Sequence, residues 1–197
     1  MCYLSRRLII GLFTAVIFGG LAQAAPATKS TVALVTGNDY RPFTDESLPE
    51  GGMVTALVRT VYAHLGQKVR IDFLPWKRGY KDARDGHYTA AFPYVKTEKR
   101  TAAFHYSKPI FTLRQKPLVA ADSDIKAQTV ADLKGMRYCL PHGYAPSPEI
   151  AAMTESGDLV RSKPERMTLC LLMLDKGRID FIPTNELLGA TTARAVF

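Results

Sequence analysis

The stretch from Phe73 to Phe111, FLPWKRGYKDARDGHYTAAFPYVKTEKRTAAFHYSKPIF, constrains the fold of this chain more than any other part. Extended and helical character alternate along it. Val69 to Pro75 reads as a strand. Lys77 to Arg84 reads as a short, strongly charged helix that Gly86 closes from the C′ position. Thr89 to Tyr94, small, apolar and aromatic, suits a buried strand. Thr97 is placed to cap a helical turn through its hydroxyl, which sets Arg100 in the first turn, just past a strand end. Strands separated by helices predict an α/β fold with mostly parallel sheets flanked by helices. In such sheets ligands bind outside the carboxyl ends of the strands, where Arg100 would stand.

The rest of the chain continues the alternation. Thr31 to Thr36 is a β-branched run and reads as the first strand. Residues 37–52 form a loop of 16 residues rich in Asn, Asp, Pro and Gly, a length that in a compact domain points to function. Met53, Val54, Leu57, Val58, Val61 and Leu65 fall at helical spacing over 52–65, predicting a helix that buries this face on the sheet. The segment 112–121 is extended, and composition shifts near 115–122. A short helix over 130–134, a strand over 137–140, a helix capped by Ser147, and a strand over 159–162 follow. The segment 164–176 is apolar almost all round and so is predicted to be buried on most sides.

The ends and the charge set the context. Arg6 and Arg7, the apolar run Leu8 to Leu21, and Ala22-Gln23-Ala24 form a secretory signal peptide over residues 1–24. Cleavage removes two arginines and no acid, lowering the net charge from +8 to +6. The basic residues are dispersed and accompany no nucleic-acid motif, so they read as solvated surface. Export leaves Cys139 and Cys170 as an even pair, which favours a disulfide over two buried free thiols. The four histidines are widely separated and lack metal-ligand spacing. No nucleophile elbow, P-loop or dinucleotide fingerprint occurs, so the expectation is neither enzyme, metal site nor cofactor.

Several motifs resemble one family. Gly86-x-Tyr88, then Thr97-Glu98-Lys99-Arg100, then Phe104-x-Tyr106-Ser107-x-Pro109-Ile110 resemble the ordered run of bacterial extracellular solute-binding proteins of family 3. These are the amino-acid-binding components of ABC importers. Pro75-Trp76-Lys77-Arg78 looks like a branch of that family with poorly defined ligands, and the Cys139/Cys170 pair looks like the same branch. The resemblance, over roughly residues 32–190, implies a two-lobed periplasmic binding protein type II fold. Lobe 1 is placed at 25–117 and lobe 2 at 118–197. The family's return segment to lobe 1 is missing, so lobe 2 is expected to be incomplete and the chain to be a fragment, a frameshifted product or a naturally short version.

The resemblance also implies a site. Tyr40, in Tyr40-Arg41-Pro42-Phe43, matches an aromatic that packs on the ligand in relatives, and Trp76 would be a second apolar wall. Backbone from Phe92 to Tyr94 would supply hydrogen bonds, and Arg100 a charge-assisted contact to a carboxylate or similar anion. Tyr144 stands where relatives carry threonine after a glycine. Asn185 stands where amino-acid binders carry an aspartate for the ligand ammonium. Either Glu186 takes that role or the ligand is not an ordinary α-amino acid. The expected function is capture of a small polar or carboxylate-bearing solute in the periplasm, for the membrane permease of an ABC importer. An orphan or sensory module, a truncated remnant that binds nothing, and a periplasmic dehydratase-like enzyme are the alternatives.

Overall fold

The computed structural model describes residues 30–185, 187–189 and 191. The predicted signal peptide over residues 1–24 and Glu186 lie outside them. Among the described residues no helix is long and apolar enough to cross a membrane.

The first core is built on a parallel sheet. β1 (Val32–Thr36) lies between β2 (Val69–Phe73) and β3 (Ala90–Ala91), with Val32 beside Val69 and Leu34 beside Ala90. Leu34, Phe43, Val54 and Phe92 are its buried centre. β3 is shorter than the predicted strand. Thr89 N–H still donates to Ala33 O and Phe92 N–H to Val35 O, but Pro93 has no N–H with which to continue.

α1 (Met53–His64) begins where the long loop folds back on it. Its first N–H groups, from Met53 and Val54, donate to Pro42 O and Phe43 O. Gly52 has φ 97°, and a Cβ there would stand 2.6 Å from Phe43 O, so only glycine fits. The predicted buried face of α1 is corrected. Val54 and Thr55 are buried, and Val58 and Tyr62 pack on the first core. Met53, Leu57, Val61 and Leu65 are 57, 43, 48 and 59% exposed. The helix seats the row 54–58–62 on the sheet, and the row 53–57–61–65, offset by one residue, turns outward.

α2 (Trp76–Arg84) starts one residue earlier than predicted. It ends as its sequence dictates, with Gly86 at φ 85°, Gly86 N–H on Ala83 O and His87 N–H on Asp82 O. α3 (Glu98–Thr101) is one turn, capped by the Thr97 hydroxyl, which accepts from Arg100 N–H.

The second core gathers around β5 (Arg137–Cys139) and β6 (Val160–Ser162), paired in parallel, with Phe181 bridged to Tyr138 on the other side. α4 (Pro148–Glu155), capped by Ser147, and α5 (Met167–Asp175) contribute to it. Cys139 and Cys170 are disulfide-bonded inside this core, Cα atoms 5.4 Å apart. α5 is shorter than predicted and buried on one side only, through Met167, Cys170, Leu171 and Leu174, while Leu169 and Leu172 face out. An apolar residue at every helical position cannot show which side meets the sheet.

Between the cores, β4 (Gln115–Leu118) runs antiparallel to β7 (Ile182–Asn185), with Gln115 beside Asn185 and Leu118 beside Ile182.

Candidate ligand-binding cleft

The two cores face each other across loop 37–52, the start of α2 and α3 on one side, and the loop after β5 on the other. Trp76 is the first residue of α2 and is buried. Its ring lies on Gly37, where a Cβ would come within 2.3 Å of the indole, and its Nε1–H donates to Asn38 O at 2.8 Å. Tyr40 meets Trp76 edge-on at 5.7 Å between centroids.

Tyr144 comes from the opposite core and enters this aromatic corner. Its ring stands edge-on to Tyr40 at 6.0 Å and to Trp76 at 5.6 Å. Its hydroxyl donates to Asp39 O at 2.9 Å. Burial pushes the Tyr144 phenol well above its ordinary pKa, so it stays a donor. Gly143 lets the chain come this close. It has φ 85°, and a Cβ on it would stand 2.6 Å from both Lys77 N and Trp76 Cβ. Asp39 is held at φ 66°, and its carboxylate accepts the Met167 N–H from the second core. Burial raises the Asp39 pKa against that bond, which lowers it.

Arg100 closes the other side. Nη1 donates to Val95 O at 2.8 Å, and Nη2 reaches across to Gly143 O at 2.7 Å. The guanidinium stacks within 5.3 Å of the Tyr94 ring and 5.8 Å of the Tyr80 ring. Burial lowers its pKa, yet a guanidinium in this range keeps its charge. Tyr94 in turn donates to Trp76 O at 2.9 Å, and burial raises its phenol. Arg161 on β6 gathers the facing loop, donating to Leu140 O, Pro141 O and Tyr144 O at 3.0–3.2 Å.

Beside this contact lies a cavity of about 340 Å³. Lys77, Tyr80, Thr97, Lys99, Arg100, Gly143, Tyr144, Ala145 and Arg161 line it, four cations and no acid among the described residues. No group of three His, Cys, Asp or Glu able to hold a metal occurs among the described residues.

The structure therefore brings together Tyr40, Trp76, Tyr94, Arg100 and Tyr144. Phe92 it places elsewhere: the ring is in the first core, and the N–H is spent on Val35 O. Asn185 is 6% exposed, and its Oδ1 accepts the Leu188 N–H at 2.9 Å, as a helix cap does. It borders a separate cavity of about 220 Å³ with Thr112, Leu113, Arg114 and Leu187. Phe43 fills the first core and stacks on Phe111 at 4.9 Å. Sequence reasoning missed Asp39 and Arg161. Asp39 is one of several acids in a polar loop, and Arg161 is a single cation in a short strand, so neither carries a signal.

No family model matches the sequence, and no curated protein matches it. Solved structures do match. An ancestral arginine-binding protein bound to arginine superposes with a TM-score of 0.72 at 19% identity, covering 84% of this chain and 74% of that one. A histidine kinase sensor domain with similarity to periplasmic binding proteins gives 0.73 at 20% identity, covering 84% and 72%. The fold is that of the periplasmic binding proteins. An amino-acid ABC transporter substrate-binding protein from Streptococcus pneumoniae, bound to L-arginine, gives 0.68 at 18% identity, covering 81% and 69%. As the periplasmic-binding-protein fold requires, the parallel sheets and their helices form two cores with a cleft between them.

Proposed function

We propose that this chain captures a small polar or carboxylate-bearing solute between its two lobes, taken as residues 25–117 and 118–197, and delivers it to the membrane permease of an ABC importer. The observation that carries this reading is the Arg100 contact: a guanidinium of the first core bridges to Gly143 O of the second, beside a cavity open to solutes. An entering anion would replace a neutral carbonyl as the partner of Nη2, a charge-assisted bond that contributes about 1.5–3 kcal/mol. Tyr40, Trp76 and Tyr144 form the apolar side of the cleft. The signal peptide read over residues 1–24 supports work in the periplasm.

A thermal-shift screen of the oxidised protein against amino acids, organic acids, polyamines and small peptides tests this. A ligand at a hundredfold excess over Kd adds about 2.7 kcal/mol of stability. The expected result is at least one shift that Arg100→Ala removes. A cooperative melt that no solute moves would refute capture.

The superposition on a histidine kinase sensor domain supports a second reading, a ligand-binding sensory module without an importer. Stimulation of a permease's ATPase by the loaded protein favours the importer; a ligand response without stimulation by any co-encoded permease favours the sensor.

A further inference from the structure

The surface that a solute would meet has two unlike halves. The apolar corner between Tyr40 and Trp76 is filled by Tyr144, whose hydroxyl is also bonded across the cleft to Asp39 O. A solute's side chain therefore finds no free space between the aromatic walls. The open half is the cavity of about 340 Å³, near the lower end of the roughly 300–1,000 Å³ range of ligand pockets.

Charge in that cavity is one-sided. Arg161 is taken up by three loop carbonyls and Arg100 by two. Carbonyls are neutral, so both guanidinium charges stay uncompensated. Lys77 and Lys99 are exposed, and their ammonium groups have no hydrogen-bond or ion-pair partner among the described residues. Among the described residues no carboxylate lines the cavity to receive an ammonium group, and Asn185 is spent on Leu188 N–H beside the other cavity. A cationic amino acid entering here would meet like charge at close range, with solvent and salt screening the part due to the exposed Lys77 and Lys99.

We infer that the cleft selects a small solute with two negative charges, held by Lys77 and Lys99 together with Arg100, and disfavours cationic amino acids. This rests on the reading of the protein as a solute binder. The shared chemistry is a dianion, which a dicarboxylate or a phosphomonoester can supply.

Isothermal titration of the oxidised protein with succinate, glycerol 3-phosphate, L-arginine and L-glutamine tests it. At least one of the two dianions is expected to bind about tenfold or more tightly than arginine and glutamine, with affinity falling as salt rises. Which dianion binds identifies the source. Lys77→Gln with Lys99→Gln is expected to raise the dianion Kd about tenfold or more. Arg59→Gln with Lys68→Gln, which removes the same charge outside the cavity lining, is expected to leave it within about twofold. Circular dichroism melts check that each variant is folded.

Tighter binding of arginine or glutamine than of both dianions would overturn the inference, as would dianion binding indifferent to the paired lysine substitutions. If arginine or glutamine binds and Arg100→Ala abolishes it, capture stands and dianion selection falls. If nothing binds, in these titrations or in the wider screen, both fall.

Discussion

Replacing Tyr144 with Ala should open the cleft. The Tyr144 contacts with Tyr40, Trp76 and Asp39 O all cross from one core to the other, so they exist only while the cleft is shut. Two edge-on ring contacts at about 0.5–1.5 kcal/mol each, and one hydrogen bond near 1 kcal/mol, together amount to roughly 3 kcal/mol. That shifts the closed-to-open ratio by roughly 150-fold. Tyr144→Phe keeps the rings and loses only the hydroxyl, so about 1 kcal/mol and roughly fivefold are expected. Trp76 is the chain's single tryptophan and sits in the corner, so its fluorescence reports the cleft without a label. In Tyr144→Ala, acrylamide should quench Trp76 more strongly, and small-angle scattering should give a larger radius of gyration. Tyr144→Phe should fall between wild type and Tyr144→Ala on both. Removing the ring uncovers one edge of the indole by itself, so both probes must move. An unchanged radius of gyration in Tyr144→Ala would refute Tyr144 as the latch.

Two further predictions concern stability. The sequence separation of 31 between Cys139 and Cys170 corresponds to about 3.7 kcal/mol of loop-closure entropy. Changing both to Ala should lower Tm by about 7–15 °C, and a drop below about 2 °C in a calorimetric scan would contradict it. Asp180 is held below the usual carboxylate pKa, first by Arg137, whose Nη2 contacts it at 2.6 Å, against the opposing effect of partial burial. Its stabilising contribution is complete above the ordinary value of 3.8 and is lost as pH falls from there through the depressed value. Asp180→Asn should therefore flatten the fall of Tm with acid below about pH 4; an unchanged slope would rule out this linkage.

Local chemistry was legible in the sequence, and long-range placement was not. Thr97 and Ser147 cap helices because a hydroxyl before a first turn has N–H groups within reach. Gly86 ends α2 because the left-handed position favours glycine. These depend on neighbours three or four residues away. The outward row of α1 could not be foreseen, since 53–57–61–65 and 54–58–62 are equally apolar, and only the sheet's position chooses between them. The cleft shows the same limit. The motif around Arg100 marked a candidate ligand-binding cation, but the partner of its Nη2 lies 43 residues away at Gly143. Tyr144 read as a departure from a glycine–threonine pattern. Its destination depended on Gly143 passing close to Trp76, which no pattern in the loop encodes.

The β4–β7 ladder has a mechanical consequence. Four register pairs join β4 to β7, so the two strands form one strap. Such a strap resists stretching and shear, because either would break several backbone bonds at once. It yields only by twisting and bending out of plane. Pro117 and Pro183 face each other on one rung, each with φ fixed by its ring. Few soft torsions are left to share the bending, and the strap behaves as a leaf spring with a short stroke. Were the cleft to open, such a strap would return Arg100 to Gly143 and Tyr144 to its corner along nearly the same arc.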